Sequence, residues 1–212
     1  MTRGKEEQRR EILVLGIGNL LWADEGFGVR AVEAMQQGYV FPPRVRLLDG
    51  GTQGLYLLHH VQAARRLIVF DAVDYGLPPG TLKIVLNEEV PAFLGVKKMS
   101  LHQTGFQEVL ACARLTGRYP EELVLIGVQP VELDDFGGSL REPVKAQLGP
   151  AIGVALGWLE NWEVRAEPRA APDRIDGHGL DLAAYEGQRP SERAACRRGA
   201  PRFLAARGGS EG

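Results

Sequence analysis

Five short runs of apolar and β-branched residues, each bounded by turn residues, constrain the fold of this chain more than any other feature. Runs of this length and composition are typical of buried strands. They are 11–16 (EILVLG), 44–49 (RVRLLD), 66–71 (RLIVFD), 81–86 (TLKIVL) and 122–128 (ELVLIGV). Helical patterns intervene or follow, at 25–37, 53–63, 103–116 and 142–162. This alternation predicts an α/β fold: a three-layer sandwich with a five-stranded, mostly parallel twisted sheet and helices on both faces.

The connection to the fourth predicted strand is too short to contain a crossover helix. Only AVDYGLPPG separates Asp71 from Thr81, whereas parallel strands need a connection of about a dozen residues or more. We therefore expect the fourth strand to run antiparallel to the third. If the strand order is flavodoxin-like, the first and third strands are neighbours, and the chain returns SLHQTG (100–105) to the carboxyl edge beside their ends.

A change in composition at Arg165 predicts a domain boundary. Residues 1–164 form one predicted domain, while residues 165–212 contain nine Arg, seven Gly, four Pro and ten Ala with few large aliphatic residues. Such a segment buries too little apolar surface to offset its ordering entropy. We expect 165–212 to be a mostly disordered tail, with a weakly basic docking arm as the alternative.

Composition and charge argue against several classes of protein. The net charge is −2, whereas a nucleic-acid-binding domain shows a basic face or stripe. No apolar run approaches the length of a membrane span, and the opening residues lack the apolar region of a signal peptide. Two cysteines make neither a disulfide framework nor a metal cluster. We expect a cytoplasmic protein with no nucleic-acid or membrane partner.

Three potential metal ligands are expected to converge at the carboxyl edge of the sheet. Glu25 follows the first strand, Asp71 closes the third, and His102 opens the helix before the fifth. Two carboxylates and one imidazole suit a divalent transition ion such as zinc or nickel, with coordination positions left for water or substrate.

The three candidate ligands also have purely structural interpretations. Glu25 and the adjacent Asp24 can cap a helix and complement its dipole. A single histidine near a helix start is more often structural or solvated than a ligand. Asp74 competes with Asp71 for the role of the carboxylate ligand.

A dinucleotide site is the main rival interpretation of the first motif. GIGNLL supplies G-x-G but has Leu21 at the third glycine position, and Asp49 resembles the acid that binds ribose. Two carboxylates at the helix entrance would repel a pyrophosphate, which binds to free N–H groups at a helix start. The sequence therefore argues against NAD or FAD.

Four linked motifs follow one another along the chain: LVLGIGNLLWADEGFGVRAVEAM, LLDGGTQG, IVFDAVDYGLPPGTL and SLHQTGFQEVL. In order and spacing they resemble the motifs of the nickel–iron hydrogenase maturation endopeptidases, and the resemblance extends over about residues 11–160. The resemblance implies an enzyme that removes a carboxyl-terminal extension from the nickel-loaded precursor of the hydrogenase large subunit.

The resemblance also implies a set of site residues. The metal-contacting and catalytic residues of the family fall on Glu25, Asp71 and His102, and Asp49 falls on a further motif position with a supporting role. The nickel either resides on the protease or arrives with the precursor, its partner; the family favours the second. No Ser or Cys nucleophile is evident, which favours an aspartic or metallo-type hydrolase. A non-catalytic nickel-dependent chaperone and a small-molecule metal hydrolase are the alternatives.

The loop QPVELDDFGGSLREP (129–143) leaves the fifth strand at the same edge of the sheet. Its glycine and proline pairs suggest a shaped but adjustable surface. We expect it to contact the precursor, with a plain connecting loop as the alternative.

Overall fold

A computed structural model describes residues 11–93, 101–171 and 182–188 of the chain. The strands are β1 (Glu11–Ile17), β2 (Tyr39–Val40), β3 (Val45–Gly51), β4 (Ala64–Ala72), β5 (Leu82–Leu86), β6 (Glu122–Val128) and β7 (Glu167–Pro168). The α-helices are α1 (Phe27–Gly38), α2 (Leu58–Ala63), α3 (Val90–Phe93), α4 (Leu101–Leu115), α5 (Glu142–Lys145), α6 (Leu148–Asn161) and α7 (Leu182–Gln188). Short 3₁₀ turns cover Ala23–Gly26, Gly54–Leu57 and Asn87–Glu89. Within the described ranges, every helix is too short or too polar to cross a lipid bilayer.

Five of these strands form one sheet in the order β3-β1-β4-β6-β5. β1 pairs in parallel with β3 and with β4, and β4 pairs in parallel with β6. β5 runs antiparallel to β6 at the edge of the sheet. The structure therefore confirms the α/β fold, the antiparallel fourth strand of the main sheet and the adjacency of its first and third strands, β1 and β4. The flavodoxin-like order 2-1-3-4-5 is wrong for the last two strands, because the fifth predicted strand, β6, lies between the third and the fourth, β4 and β5.

Each face of the sheet has its own apolar core, because successive residues of a strand point to opposite faces. On one face, α1 and α6 cover a cluster that includes Val14, Ile68 and Ile126. On the other face, α4 and the α2 region cover a cluster that includes Leu15, Val69 and Leu125. Helices thus lie on both faces, as the sequence predicts.

Two glycines let α1 approach the sheet with backbone touching backbone. A Cβ on Gly28 would lie 2.2 Å from the carbonyl oxygen of Phe70 and 2.3 Å from that of Ile17. A Cβ on Gly16 would lie 2.2 Å from the carbonyl oxygen of Gly28. The first turn of α1 is therefore seated directly against the ends of β1 and β4, and this contact places the preceding residues at the carboxyl edge.

Several helix boundaries differ from the sequence-based predictions. The helix expected over 25–37 begins at Phe27, after a 3₁₀ turn that contains Glu25. The region 53–63 is divided into a 3₁₀ turn and α2, and 142–162 is divided into α5 and α6. Periodicity marks the apolar face of such segments, but not the point where the backbone tightens.

Two parts of the predicted tail, 165–171 and 182–188, belong to the described residues. β7 pairs antiparallel with β2, and the backbone N–H of Arg169 donates to the carbonyl of Gly38. In α7, the carboxylate of Glu186 accepts from Ser139 and from Lys145, and Tyr185 lies against the guanidinium of Arg30. The rest of 165–212 lies outside the described residues, and the division into domain and tail stays a prediction.

Candidate functional site

Asp71 lies near the carboxyl end of β4, the central strand of the five-stranded sheet, and is fully buried. Its side chain projects from the same face of the sheet as those of Leu67 and Val69, which belong to the core under α2 and α4. Its register partner on β6 is Gly127. A buried carboxylate is costly unless it is paired or binds a metal ion, so a buried Asp at the carboxyl edge indicates a functional position.

Glu25 lies in the 3₁₀ turn between β1 and α1 and is half-buried. Its backbone N–H donates to the carbonyl of Trp22, and its carbonyl accepts from Asn19. Gly18, with a φ of 141°, lies so close that a Cβ there would fall 1.8 Å from the Glu25 carbonyl oxygen. The glycine turn of the first motif therefore folds the backbone onto Glu25, and this turn packs against β4, the strand of Asp71.

Asp24 has a different role from its neighbour. Its side chain is completely buried, and its carboxylate accepts from the backbone N–H groups of Val131 (2.8 Å), Glu132 (2.9 Å) and Arg141 (2.7 Å). Its backbone N–H donates back to the carbonyl of Glu132. The structure thus contradicts the helix-capping interpretation of Asp24, because these partners all belong to the loop after β6.

The loop after β6 is held at further points. Arg141 pairs with Asp135 at 2.6 Å, and Gly137 donates to the carbonyl of Leu21. The rings of Trp22 and Phe136 meet edge to face, with centroids 5.4 Å apart. The loops that follow β1 and β6 are therefore fastened together beside Asp71, with Phe136 67% exposed.

His102 lies in the first turn of α4. The backbone of this helix comes close to the loop after β3, since a Cβ on Gly105 would lie 3.2 Å from Cα of Gly54. Asp71 faces the side of the sheet that α4 covers, so the start of α4 and Asp71 share one face. The side chain of His102 itself lies outside what the structure describes.

Asp74 and Asp49 each accept a hydrogen bond in a local turn, and Asp74 also contacts the loop after β6. Asp74 accepts through Oδ1 from the N–H of Gly76 and from Nε2 of Gln129, both at 3.0 Å. Asp49 accepts through Oδ1 from the N–H of Gly51 at 2.9 Å. The pKa of the Asp49 carboxyl is raised above its ordinary value, because the effect of burial exceeds the opposite effects of the Gly51 N–H and the charge of Arg30.

Among the side chains that the structure describes, no three His, Cys, Asp and Glu residues are grouped so that they could hold a metal ion. Glu25 and Asp71 are among these side chains and His102 is not. The trio of Glu25, Asp71 and His102 therefore stays a prediction. The structure also shows that the neighbouring Asp24 holds the loop after β6. The sequence placed Asp24 beside the site but did not indicate these hydrogen-bond partners.

The architecture is that of an α/β protein with its candidate site at the carboxyl edge, where neighbouring strands β1 and β4 end. Residues 29–158 match the family model described as hydrogenase maturation protease. The chain belongs to the hydrogenase maturation protease family, whose members are endopeptidases.

Individual relatives agree with this membership. The chain is 63% identical over 195 residues to the hydrogenase expression/formation protein HupM of Azotobacter chroococcum, covering 92% of this chain and 93% of the relative. Its structure is similar to the hydrogenase maturating endopeptidase HybD of Escherichia coli, with a TM-score of 0.72 and 43% identity over 76% of this chain and 98% of the other. It is also similar to a NiFe hydrogenase maturation protease of Thermococcus kodakarensis, with a TM-score of 0.56 and 26% identity over 70% and 98% of the two chains.

Proposed function

We propose that this chain is the endopeptidase that removes a carboxyl-terminal extension from the nickel-loaded precursor of a nickel–iron hydrogenase large subunit. Glu25, Asp71 and His102 are its site residues, and the nickel ion belongs to the substrate. The observation that carries the proposal is the buried carboxylate of Asp71 on the central strand, beside the turn of Glu25 and on the face covered by the helix of His102.

The donor set fits a nickel ion. Two carboxylate oxygens and an imidazole nitrogen are ligands that divalent transition metals accept, and three protein ligands leave positions open for substrate groups. A bound divalent ion polarises a carbonyl or lowers the pKa of a bound water. The carboxylates then have distinct roles: Asp71 is held by its strand and fixes the geometry, while the more accessible Glu25 accepts the proton of the attacking water.

Nickel carried by the precursor also explains selectivity. A metal-free precursor cannot make the contacts to the three side chains, so it loses that part of the binding free energy. Cleavage is thereby reserved for the loaded form.

Two cysteines in 212 residues are typical of a protein that works in the reducing cytoplasm, which is where we place this reaction.

The test is to incubate the purified protein with nickel-loaded precursor and to determine product masses by mass spectrometry. We expect a single cut near the carboxyl terminus of the precursor, and no cut of the metal-free precursor. A stable complex without cleavage would instead identify a chaperone. Equal cleavage of both precursors would refute the role of nickel.

The site assignment has its own variants. His102→Ala, Glu25→Gln and Asp71→Asn should each abolish cleavage while circular dichroism stays unchanged. His59→Ala is the matched control, since His59 is an exposed histidine on α2. If His102→Ala cuts the precursor at the rate of the unmodified protein, the assignment is wrong.

A further inference from the structure

Tyr75 lies in the loop that follows β4 and is fixed there by a buried glutamine. Its backbone N–H donates to Oε1 of Gln129 at 2.8 Å, and the N–H of Leu77 donates to the same oxygen at 3.1 Å. Gln129 is only 6% exposed. The half-buried ring packs against the core under α2 and α4, with Nζ of Lys83 5.0 Å from the ring centroid. The tyrosine therefore has a defined position on the same face of the sheet as Asp71.

The hydroxyl of Tyr75 occupies the space that a side chain at Gly127 would fill. A Cβ on Gly127 would lie 2.1 Å from Oη and 2.9 Å from Cζ of the tyrosine. Gly127 is in register with Asp71 on one side and with Lys83 on the other. Residues in register on adjacent strands, about 4.8 Å apart, project from the same face. The phenol therefore lies across β6, with its hydroxyl next to the position of the Asp71 carboxylate.

The hydroxyl of Tyr75 is a donor at neutral pH, because the ordinary pKa of a phenol, about 10, already keeps it protonated. Burial and, to a smaller extent, the negative charge of Asp71 raise the pKa of Tyr75 further. The phenol is therefore an O–H donor close to a carboxylate. Hydrogen bonds of catalytic groups are often long without substrate and shorten in the complex.

We propose that Tyr75 is a positioning residue of the site: its hydroxyl donates a hydrogen bond to the carboxylate of Asp71 and orients it towards the nickel ion of the precursor. This inference rests on the proposed function. A carboxylate that binds a metal ion through one oxygen commonly has its other oxygen hydrogen-bonded, and loss of that partner typically costs about 10–100-fold in metal affinity or activity. Gly127 and Gln129 support the arrangement, since one leaves room for the hydroxyl and the other holds the loop.

The first test compares Tyr75→Phe with Tyr119→Phe. The phenylalanine ring keeps the packing at position 75 and loses only the hydroxyl, so we expect kcat/KM for the nickel-loaded precursor to fall about 10–100-fold with an unchanged melting temperature. Tyr119 is another half-buried tyrosine, just before β6 and hence at the opposite edge of the sheet. Its variant should cleave normally. Normal cleavage by Tyr75→Phe would overturn the inference, whereas no cleavage by the unmodified protein would overturn the proposed function instead.

The second test does not depend on activity. In protein labelled with ¹³C at tyrosine Cζ, the resonance of Tyr75 is assigned by its loss in Tyr75→Phe or by selective labelling. We expect Asp71→Asn to shift this resonance and to leave that of Tyr119 in place. A Tyr75 resonance that does not respond to Asp71→Asn would exclude the contact.

Discussion

The carboxylate of Asp24 accepts a 2.7 Å hydrogen bond from the backbone N–H of Arg141, 117 residues later in the chain. Together with the bonds from Val131 and Glu132, it fastens the loop after β6 to the turn that carries Glu25. Asp24, one of the two adjacent acids of the first motif, therefore supports the fold of the carboxyl edge. The role that we propose in cleavage belongs to its neighbour, Glu25.

Asp24→Asn should destabilise the protein by about 2–4 kcal/mol, because an amide cannot accept all three hydrogen bonds and turns a donor towards backbone donors. Urea unfolding measures the change in the free energy of unfolding. Asp134→Asn, at an exposed position of the same loop, is the control and should change it by less than about 0.5 kcal/mol. Equal stability of the two variants would show that the Asp24 contacts contribute nothing.

Gly28→Ala and Gly153→Ala should change stability in opposite directions. The new methyl group at position 28 would clash with the backbone oxygens of Phe70 and Ile17. Because α1 must then move away from the sheet, we expect the free energy of unfolding to fall by about 3 kcal/mol or more. Gly153 lies in α6 with open space around its Cα. Alanine there should stabilise the protein by about 0.5–1 kcal/mol through helix propensity. Thermal unfolding of both variants is sufficient, and a normal melting temperature for Gly28→Ala would contradict the close approach.

Phe136→Ala tests the loop that we expect to contact the precursor. The ring is 67% exposed and rests on Trp22, so its loss should hardly affect folding. We expect KM for the precursor to rise about five-fold or more, as for a contact worth over 1 kcal/mol, with kcat little changed. Leu115→Ala removes an apolar side chain that is 86% exposed at the far end of α4 and should leave KM unchanged. An unchanged KM for Phe136→Ala would mean that the loop only connects β6 to α5.

Glu186→Gln tests whether α7 supports the same loop. It weakens the pair with Lys145, at 2.7 Å, and the hydrogen bond from Ser139. Ion pairs that remain partly exposed to solvent, here with both side chains 32% exposed, contribute little to global stability. We therefore expect a normal melting temperature but faster hydrogen exchange over 139–145. Glu88→Gln, which weakens the exposed pair with Arg114, should leave exchange in that region as it was. Unaltered exchange in Glu186→Gln would show that α7 does not stabilise the loop.

The sequence was sufficient to predict most of the fold, because strand length and connection length are local properties. The short segment between Asp71 and Thr81 indicates an antiparallel strand without any knowledge of its partner. β2 and β7 escape prediction because each has two residues, which is too few to show a periodic pattern. Their pairing depends on where the chain returns after α6.

The candidate site was predictable only in part. Asp71 and Glu25 can be proposed because Asp71 lies near the end of one predicted strand and Glu25 follows another, and parallel neighbouring strands share a carboxyl edge. The role of Asp24 could not be predicted, since its partners are backbone groups 107 to 117 residues away. Tyr75 lies within the motif IVFDAVDYGLPPGTL, but the motif does not indicate its role, because its place depends on the register between Asp71 and Gly127.

The contacts that the chain makes after α6 determine which attachment sites for a fluorophore would report docking of the precursor. Arg169 contacts the end of α1, whereas Tyr185 contacts Arg30 near its beginning. A fluorophore at Gln188, the last residue of α7, is therefore expected to report docking of the precursor at the candidate site. One at Glu11 is attached at the start of β1, about seven residues or some 23 Å of strand from the carboxyl end of β1, and is the reference that should not respond.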